Sequence, residues 1–146
     1  PYSAKDVRDA YTAIFAERGY EVPAVVRIYR SDANAEHFLA FGLALDGTEI
    51  TAETLNGAMD GLVFENGVAF NTGTADKDGH IKADLNDAFA AQVRSLGTSG
   101  EYFLVGGIVN TLLDAFDGTE VMLTVNGAPL ESGHNIYDYA LTRYEE

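Results

Sequence analysis

Cysteine is absent from the 146 residues, which removes disulfides, thiol nucleophiles and cysteine-rich zinc sites at once. No apolar stretch approaches the ~20 residues needed to span a bilayer. The chain starts at Pro1 rather than methionine, which suggests either processing, of which loss of an export signal is one form, or a trimmed sequence. Cations are scarce as well: nine Lys and Arg stand against 23 Asp and Glu, for a formal charge of −14. Such a chain repels phosphate backbones and anionic headgroups, so neither nucleic acid nor bare anionic membrane is expected as a partner. Against these absences, 47% of the residues are hydrophobic and 22% charged, the balance of a chain that folds around a core. The length suits one domain.

Along the chain, Val7, Ala10, Tyr11, Ile14 and Phe15 recur at helical spacing, with Ser3 and Asp6 as a capping box and Gly19 as a stop, which predicts an amphipathic helix over residues 3–18. The β-branched and aromatic run 24–30 predicts a strand ending at a polar turn, 31–34, and 37–45 predicts a second strand that turns at Asp46-Gly47. Thr51 caps a helix with the stripe Leu55, Ala58, Met59 and Leu62. Asn66-Gly67 and Asp78-Gly79 supply the positive φ of tight turns, making 68–71 and 80–84 short strands of a meander. Asn86 is expected to cap a short helix carrying Phe89, Val93 and Leu96, ended by Gly97.

The clearest helix covers 99–116, with Thr98 and Glu101 read as a capping box and Phe103, Leu104, Ile108, Val109, Leu112, Leu113 and Phe116 as one apolar face. Gly106 and Gly107 each cost about 1 kcal/mol in a helix interior, so they predict close backbone packing against a sheet. After a turn at Asp117-Gly118, Val121, Leu123 and Val125 alternate with Glu120, Met122 and Thr124 as a half-buried strand ending at Asn126-Gly127. The last segment, through Ile136, Tyr137, Tyr139, Leu141 and Tyr144, reads as an edge strand or an ordered tail.

Three pieces stand in a telling order: residues 107–116, reading Gly-Ile-Val-Asn-Thr-Leu-Leu-Asp-Ala-Phe, then the strand 121–127, then Gly133-His134. Together with Arg27-Ile28-Tyr29 and the segment 78–89, they resemble the sporulation and germination (GerMN) domain over about residues 24–143. The resemblance implies an α+β fold with a small mixed or antiparallel sheet, helices packed on one face in the manner of βαβ ring-building modules, and one core over 23–146. The N-terminal amphipathic helix, 1–22, lies outside the family pattern, and the basic residues often found after the first half of that pattern are sparse. Binding or assembly rather than turnover is implied, with no cofactor. The implied setting is extracytoplasmic, with a lipid-bearing cysteine upstream of Pro1 and an envelope protein or self-association as partner.

Catalytic and metal-binding chemistry finds little support. Asp76, Asp78, Gly79 and Ile81 track a calcium loop, but Thr74 and Leu85 replace its essential end ligands and Lys82 brings a cation, so a hairpin with solvated acids is the better reading. His37, His80 and His134 are far apart and never paired at metal-ligand spacing. His134 is placed to hydrogen-bond Asp138, yet neither Ser99 nor Ser132 sits in a nucleophile elbow. Carboxylate pairs such as Asp114 with Asp117 or Glu49 with Glu53 are expected by chance in so acidic a chain, and the glycines at 97, 100, 106 and 107 form no phosphate loop. Asn110 and Thr111 interrupt the apolar helix, either as a polar contact in a groove or, more simply, bonded to backbone or water. Tyr29, Tyr137, Tyr139 and Tyr144 supply contact area with polar tips. A candidate interaction surface therefore comprises Tyr29, Tyr137, Tyr139, Asn110, Thr111 and His134. The rival reading is a glycan-binding or peptidoglycan-binding pocket near Tyr29 and Tyr137, and an enzyme ranks last.

Overall fold

The order of elements follows from where the chain can bury apolar side chains and where glycine, Asn or Asp lets it turn. In a computed structural model that describes residues 3–17 and 22–146, they run α1 (Ala4–Glu17), β1 (Val25–Ser31), β2 (Phe38–Ala44), α2 (Ala52–Met59), β3 (Phe70–Ala75), β4 (His80–Leu85), α3 (Asp87–Arg94), α4 (Thr98–Phe116), β5 (Glu120–Val125), β6 (Ala128–Glu131) and β7 (Ile136–Tyr137). The predicted box at the start of α1 is present: the Asp6 amide donates to Ser3 Oγ at 3.0 Å and the Ser3 amide to an Asp6 carboxylate oxygen at 3.2 Å. Val7 and Ala10 are exposed, while the side chains of Tyr11, Ile14 and Phe15 and the predicted stop at Gly19 lie outside the described residues. Thr51 caps α2 through a reciprocal bond with Thr54.

The fold is α+β with its strands divided into two sheets. β1 and β2 form an antiparallel pair, and the other sheet runs β3-β4-β5-β6-β7. Its central neighbours β4 and β5 are parallel, joined through α3 and α4 in a βαβ unit, and the other pairs are antiparallel. Asp78-Gly79 makes the β3–β4 hairpin, with Gly79 at φ +84°. Asn126-Gly127 makes the β5–β6 hairpin with both residues at positive φ, as such tight turns require. Asn66-Gly67 departs from expectation: Gly67 has φ +89°, but it turns the loop into β3 and joins no strand pair, because α2 rather than a strand precedes it.

α4 is the element the others assemble around. Every residue from 103 to 113 is buried, three helical turns without an exposed face, so the expected single apolar face is corrected to a helix covered on all sides. One core cluster holds Val26 and Ile28 of β1, Leu55 and Met59 of α2, Ile81, Ala83 and Leu85 of β4, Ile108, Val109 and Leu112 of α4, and Val121 and Leu123 of β5. Helix capping also differs from expectation. Gly97 is the N-cap of α4 and no side chain caps it, because the Glu101 carboxylate is used elsewhere. Asn86 occupies the N-cap position of α3 without bonding its amides; its side chain instead takes the Ala69 amide and donates to the Gly67 carbonyl.

Both interior glycines mark close approaches. A Cβ on Gly107 would lie 2.7 Å from the Tyr29 carbonyl oxygen, and one on Gly106 would lie 2.6 Å from the Tyr144 ring. A Cβ on Gly57 of α2 meets nothing within 4 Å. Gly107→Ala is therefore expected to lose about 1–3 kcal/mol, since β1 backbone cannot yield as a side chain does. Gly57→Ala should gain up to about 1 kcal/mol from helix propensity. Urea unfolding of the two variants beside the parent checks the opposite signs.

Candidate interaction surface

In an antiparallel pair, alternate residues of each strand direct their N–H and C=O to the partner and the rest direct theirs outward. The β1–β2 register pairs Val25 with Ala44 through Ser31 with Phe38. At its ends the Leu45 amide donates to Ala24 O and the Asp32 amide to His37 O. Residues 39, 41 and 43 therefore bond inward to β1, and Phe38, Ala40, Gly42 and Ala44 present their backbone groups at the outer edge of β2. The outward residues of β1 are Val25, Arg27, Tyr29 and Ser31, and α4 packs along that strand and bonds it at Tyr29. The Tyr29 amide donates to Thr111 Oγ1 at 3.0 Å, and the Thr111 hydroxyl donates to Gly107 O at 2.6 Å. Among the described residues, one edge of the hairpin is thus bonded to a helix at Tyr29, and the other is bonded only at the Phe38 amide.

The open strand reads Phe-Leu-Ala-Phe-Gly-Leu-Ala, without a charge or a proline, and is exposed along most of its length. Leu39 and Phe41 remain 42% and 41% exposed on one face of the pair, and Val25, opposite Ala44 on the other face, 46%. Phe38 turns back into an aromatic cluster, its ring 4.7 Å from Phe103 and 6.4 Å from Tyr29. This uncharged strand was expected as a strand but not as a site. Its signal was the lack of any alternation: a strand apolar at every position is either buried on both faces or held for a partner.

The predicted tyrosines separate into different roles. Tyr29 donates its hydroxyl to Asp114 at 2.6 Å, with Arg143 paired to the same carboxylate and 6.0 Å from the Tyr29 ring centre. The Tyr144 ring lies 4.9 Å from that of Tyr102, tilted by 59°, and burial pushes its hydroxyl up to about 12. Tyr139 is exposed and its hydroxyl accepts from Asn135. Tyr137 is buried, so it leaves the surface set. Asn110 and Thr111 leave it too: both are buried, and Asn110 exchanges two bonds with the Tyr144 backbone at 2.9 and 3.0 Å. An amide inside a helix covered on all sides cannot face a groove.

Sequence reasoning misassigned Glu101. Its buried carboxylate accepts from the Tyr137 hydroxyl at 2.5 Å and lies 2.9 Å from His134 Nδ1, so the expected His134–Asp138 pair is replaced by His134–Glu101. Burial works to raise its pKa, but the hydrogen bonds with Tyr137 and His134 overcome it and hold the carboxyl below its usual range. The same contact and burial drive the Tyr137 hydroxyl up. Ser132 accepts the amides of His134 and Asn135, so this serine organises a turn. These groups clasp the C-terminal segment to α4.

Tyr29 and Tyr137 are anchored far apart. Their partners Asp114 and Glu101 are thirteen residues apart on α4, about 20 Å at the helical rise. The calcium-like segment is the β3–β4 hairpin, where Asp76 accepts the amides of Asp78 and His80 within its own turn. No group of three or more His, Asp or Glu among the described residues is placed to hold a metal ion. No helix among them is long and apolar enough to cross a membrane.

A family model, Germane, described as sporulation and spore germination, matches residues 16–131. The solved tandem GerMN domains of the sporulation protein GerM from Bacillus subtilis superpose with a TM-score of 0.59 at 18% identity, covering 84% of this chain and 44% of that one. The chain thus spans less than half of the tandem protein. The first GerMN domain of the same protein gives a TM-score of 0.57 at 20% identity over 82% of this chain and 97% of that one. At these identities the likeness concerns the fold. No curated protein matches the chain.

The clasp carries a pH dependence. Because Glu101 ionises more readily folded than unfolded, its stabilisation is complete above its ordinary value of 4.5 and is lost as pH falls through the lowered folded value. Glu101→Gln should flatten that acid limb. Tyr137→Phe, which leaves one carboxylate oxygen buried without its donor, should cost about 1–3 kcal/mol near neutral pH. Thermal unfolding between acid and neutral pH measures both.

Proposed function

The chain belongs to the sporulation and spore germination family, and on that premise we propose that it is a non-enzymatic binding or assembly module of the bacterial cell envelope. In this reading it acts outside the cytoplasm, held to the membrane by a lipid anchor outside the described chain, and engages a protein partner. The observation that carries it is the open edge of β2, an uncharged strand whose Leu39 and Phe41 stand exposed while the opposite edge of the hairpin is covered by α4. Exposed apolar strand edges are liabilities that folded proteins blunt with charge, proline or cover. β2 has none of the first two, and among the described residues only Phe38 finds an outside acceptor, in the Glu146 carboxylate.

Turnover has no comparable support. The titratable groups with shifted equilibria hold the fold: Glu101 clasps the C-terminal segment, and Asp84 bonds Thr124, Asn71 and the Gly127 amide. Such shifts arise in structural networks as well as in active sites. A ligand pocket built on Tyr29 and Tyr137 has lost its geometric basis.

Substituting Leu39→Lys with Phe41→Lys places charge on the open strand at half-exposed positions, where the fold should lose no more than about 1 kcal/mol. With each protein as bait in envelope extract, a protein retained by the parent and released by the double variant is the expected result. Equal retention by both, or recovery of glycan alone, contradicts the reading.

A further inference from the structure

The open edge of β2 has a chemical setting that names the kind of strand it would accept. No lysine or arginine occurs anywhere from residue 31 to residue 76. Asp32 and Glu36 lie in the turn before β2, and Asp46, Glu49 and Glu53 follow it. Glu145 and Glu146 are brought to the Phe38 end as well, through the bond from the Tyr102 hydroxyl to Glu145 O and that from the Phe38 amide to the Glu146 carboxylate. Arg27 and Arg30 stand on β1 opposite Gly42 and Leu39, and Arg8, Arg27 and Gly42 line one cleft, so the nearby cations lie beside the middle of the strand and the carboxylates at its ends; His37 lies 3.6 Å from Glu146. At the other end the edge opens on a cleft of ≈ 550 Å³ whose lining includes Ala44, Asp46, Glu53 and Gly57. An uncharged strand is therefore flanked at both ends by carboxylates, one pair of which lines a cavity large enough for a long side chain.

Resting on the binding role argued above, we propose that β2 extends its sheet by strand addition. The occupant is an extended segment of another protein, apolar at its centre and carrying lysine or arginine at both ends. Main-chain bonds to Ala40, Gly42 and Ala44 supply affinity, and the flanking acids select the occupant. The Glu146 carboxylate on the Phe38 amide already accepts from the first of these outward donors, so the edge is oriented to receive an acceptor. A second copy of this chain is the wrong occupant. Whether β2 met β2 parallel or antiparallel, acids would face acids, and each copy carries a formal charge of −14. Like charges brought together this way oppose association.

The test uses the whole chain and synthetic peptides of about nine residues, with Val and Thr alternating at the centre and lysines at both ends, a length matched to one strand. Three peptides are compared by isothermal titration: the lysine-flanked one, its glutamate-flanked counterpart, and the lysine-flanked one N-methylated at alternate residues to block strand pairing. The lysine-flanked peptide is expected to bind at least about tenfold tighter than the glutamate-flanked one, as a few exposed ion pairs provide. Its advantage should shrink as salt rises from low to molar strength. N-methylation should abolish binding, and so should Ala40→Pro, which removes a donor at an edge position where proline is tolerated. The methylated peptide is tested on the parent protein, so the result does not depend on that variant folding.

Equal binding of the methylated peptide overturns strand addition while leaving apolar docking intact. Equal binding of the glutamate-flanked peptide overturns the charge selection. A salt-independent dimer of the chain alone, lost on Ala40→Pro, overturns the choice of occupant. Peptide binding that survives Leu39→Lys with Phe41→Lys would remove the binding surface itself.

Discussion

The contact between the middle of α4 and the backbone of β1 determines most of what surrounds it. Gly107 lets the helix approach until its missing Cβ would touch the Tyr29 carbonyl, and Thr111, one turn on, takes the Tyr29 amide. That amide is then satisfied without a strand, so no strand occupies the position and the chain divides into a two-stranded and a five-stranded sheet. Buried backbone donors left unpaired cost about 1–3 kcal/mol each, so a hydroxyl at residue 111 contributes to topology as well as to packing. The other consequence falls on β2, whose outer edge keeps its donors and acceptors because the helix is spent on the opposite edge.

The polar residues of α4 follow the same logic at its other contacts. Asn110 pairs with the Tyr144 backbone, Gly106 admits the Tyr144 ring, and Glu101 gathers Tyr137 and His134. They draw the C-terminal segment across the helix, where the Leu141 and Val121 backbones bond each other. Among the described residues no buried side-chain nitrogen or oxygen lacks a hydrogen-bond partner. A helix buried on all sides tolerates such groups only when they are satisfied, and here each holds a different part of the chain. Among the described residues, β2 is the strand that keeps exposed apolar side chains beside largely unbonded outward backbone groups.

Local chemistry was legible in the residues. Ser3 with Asp6, Thr51 as a helix cap, the two hairpin dipeptides and the glycine pair of α4 all act through neighbours close in sequence or through backbone geometry, and the order of elements with the Gly133-His134 pair pointed to the family. Long-range partners were not legible. Glu101 satisfies the spacing of a capping box with Thr98, and nothing local distinguishes that use from a bond to Tyr137 thirty-six positions away. Asn110 and Thr111 looked like breaks in an apolar face because the pattern assumed one covered side, whereas cover on all sides turns them inward. The candidate surface moved for the same reason: tyrosines attract notice as contact residues, but several of these are committed to α4, and the exposed edge belongs to a strand whose all-apolar composition is equally that of a buried one.

Backbone hydrogen exchange along β2 tests the central arrangement most directly. If α4 seals β1 and leaves β2 open, the amides of Leu39, Phe41 and Leu43 are protected by their bonds to β1, while those of Ala40, Gly42 and Ala44 exchange rapidly. Protection that alternates in this way is the predicted result. Uniform protection along the strand would mean the edge is covered, uniform rapid exchange would mean the hairpin is not formed, and either would contradict the account.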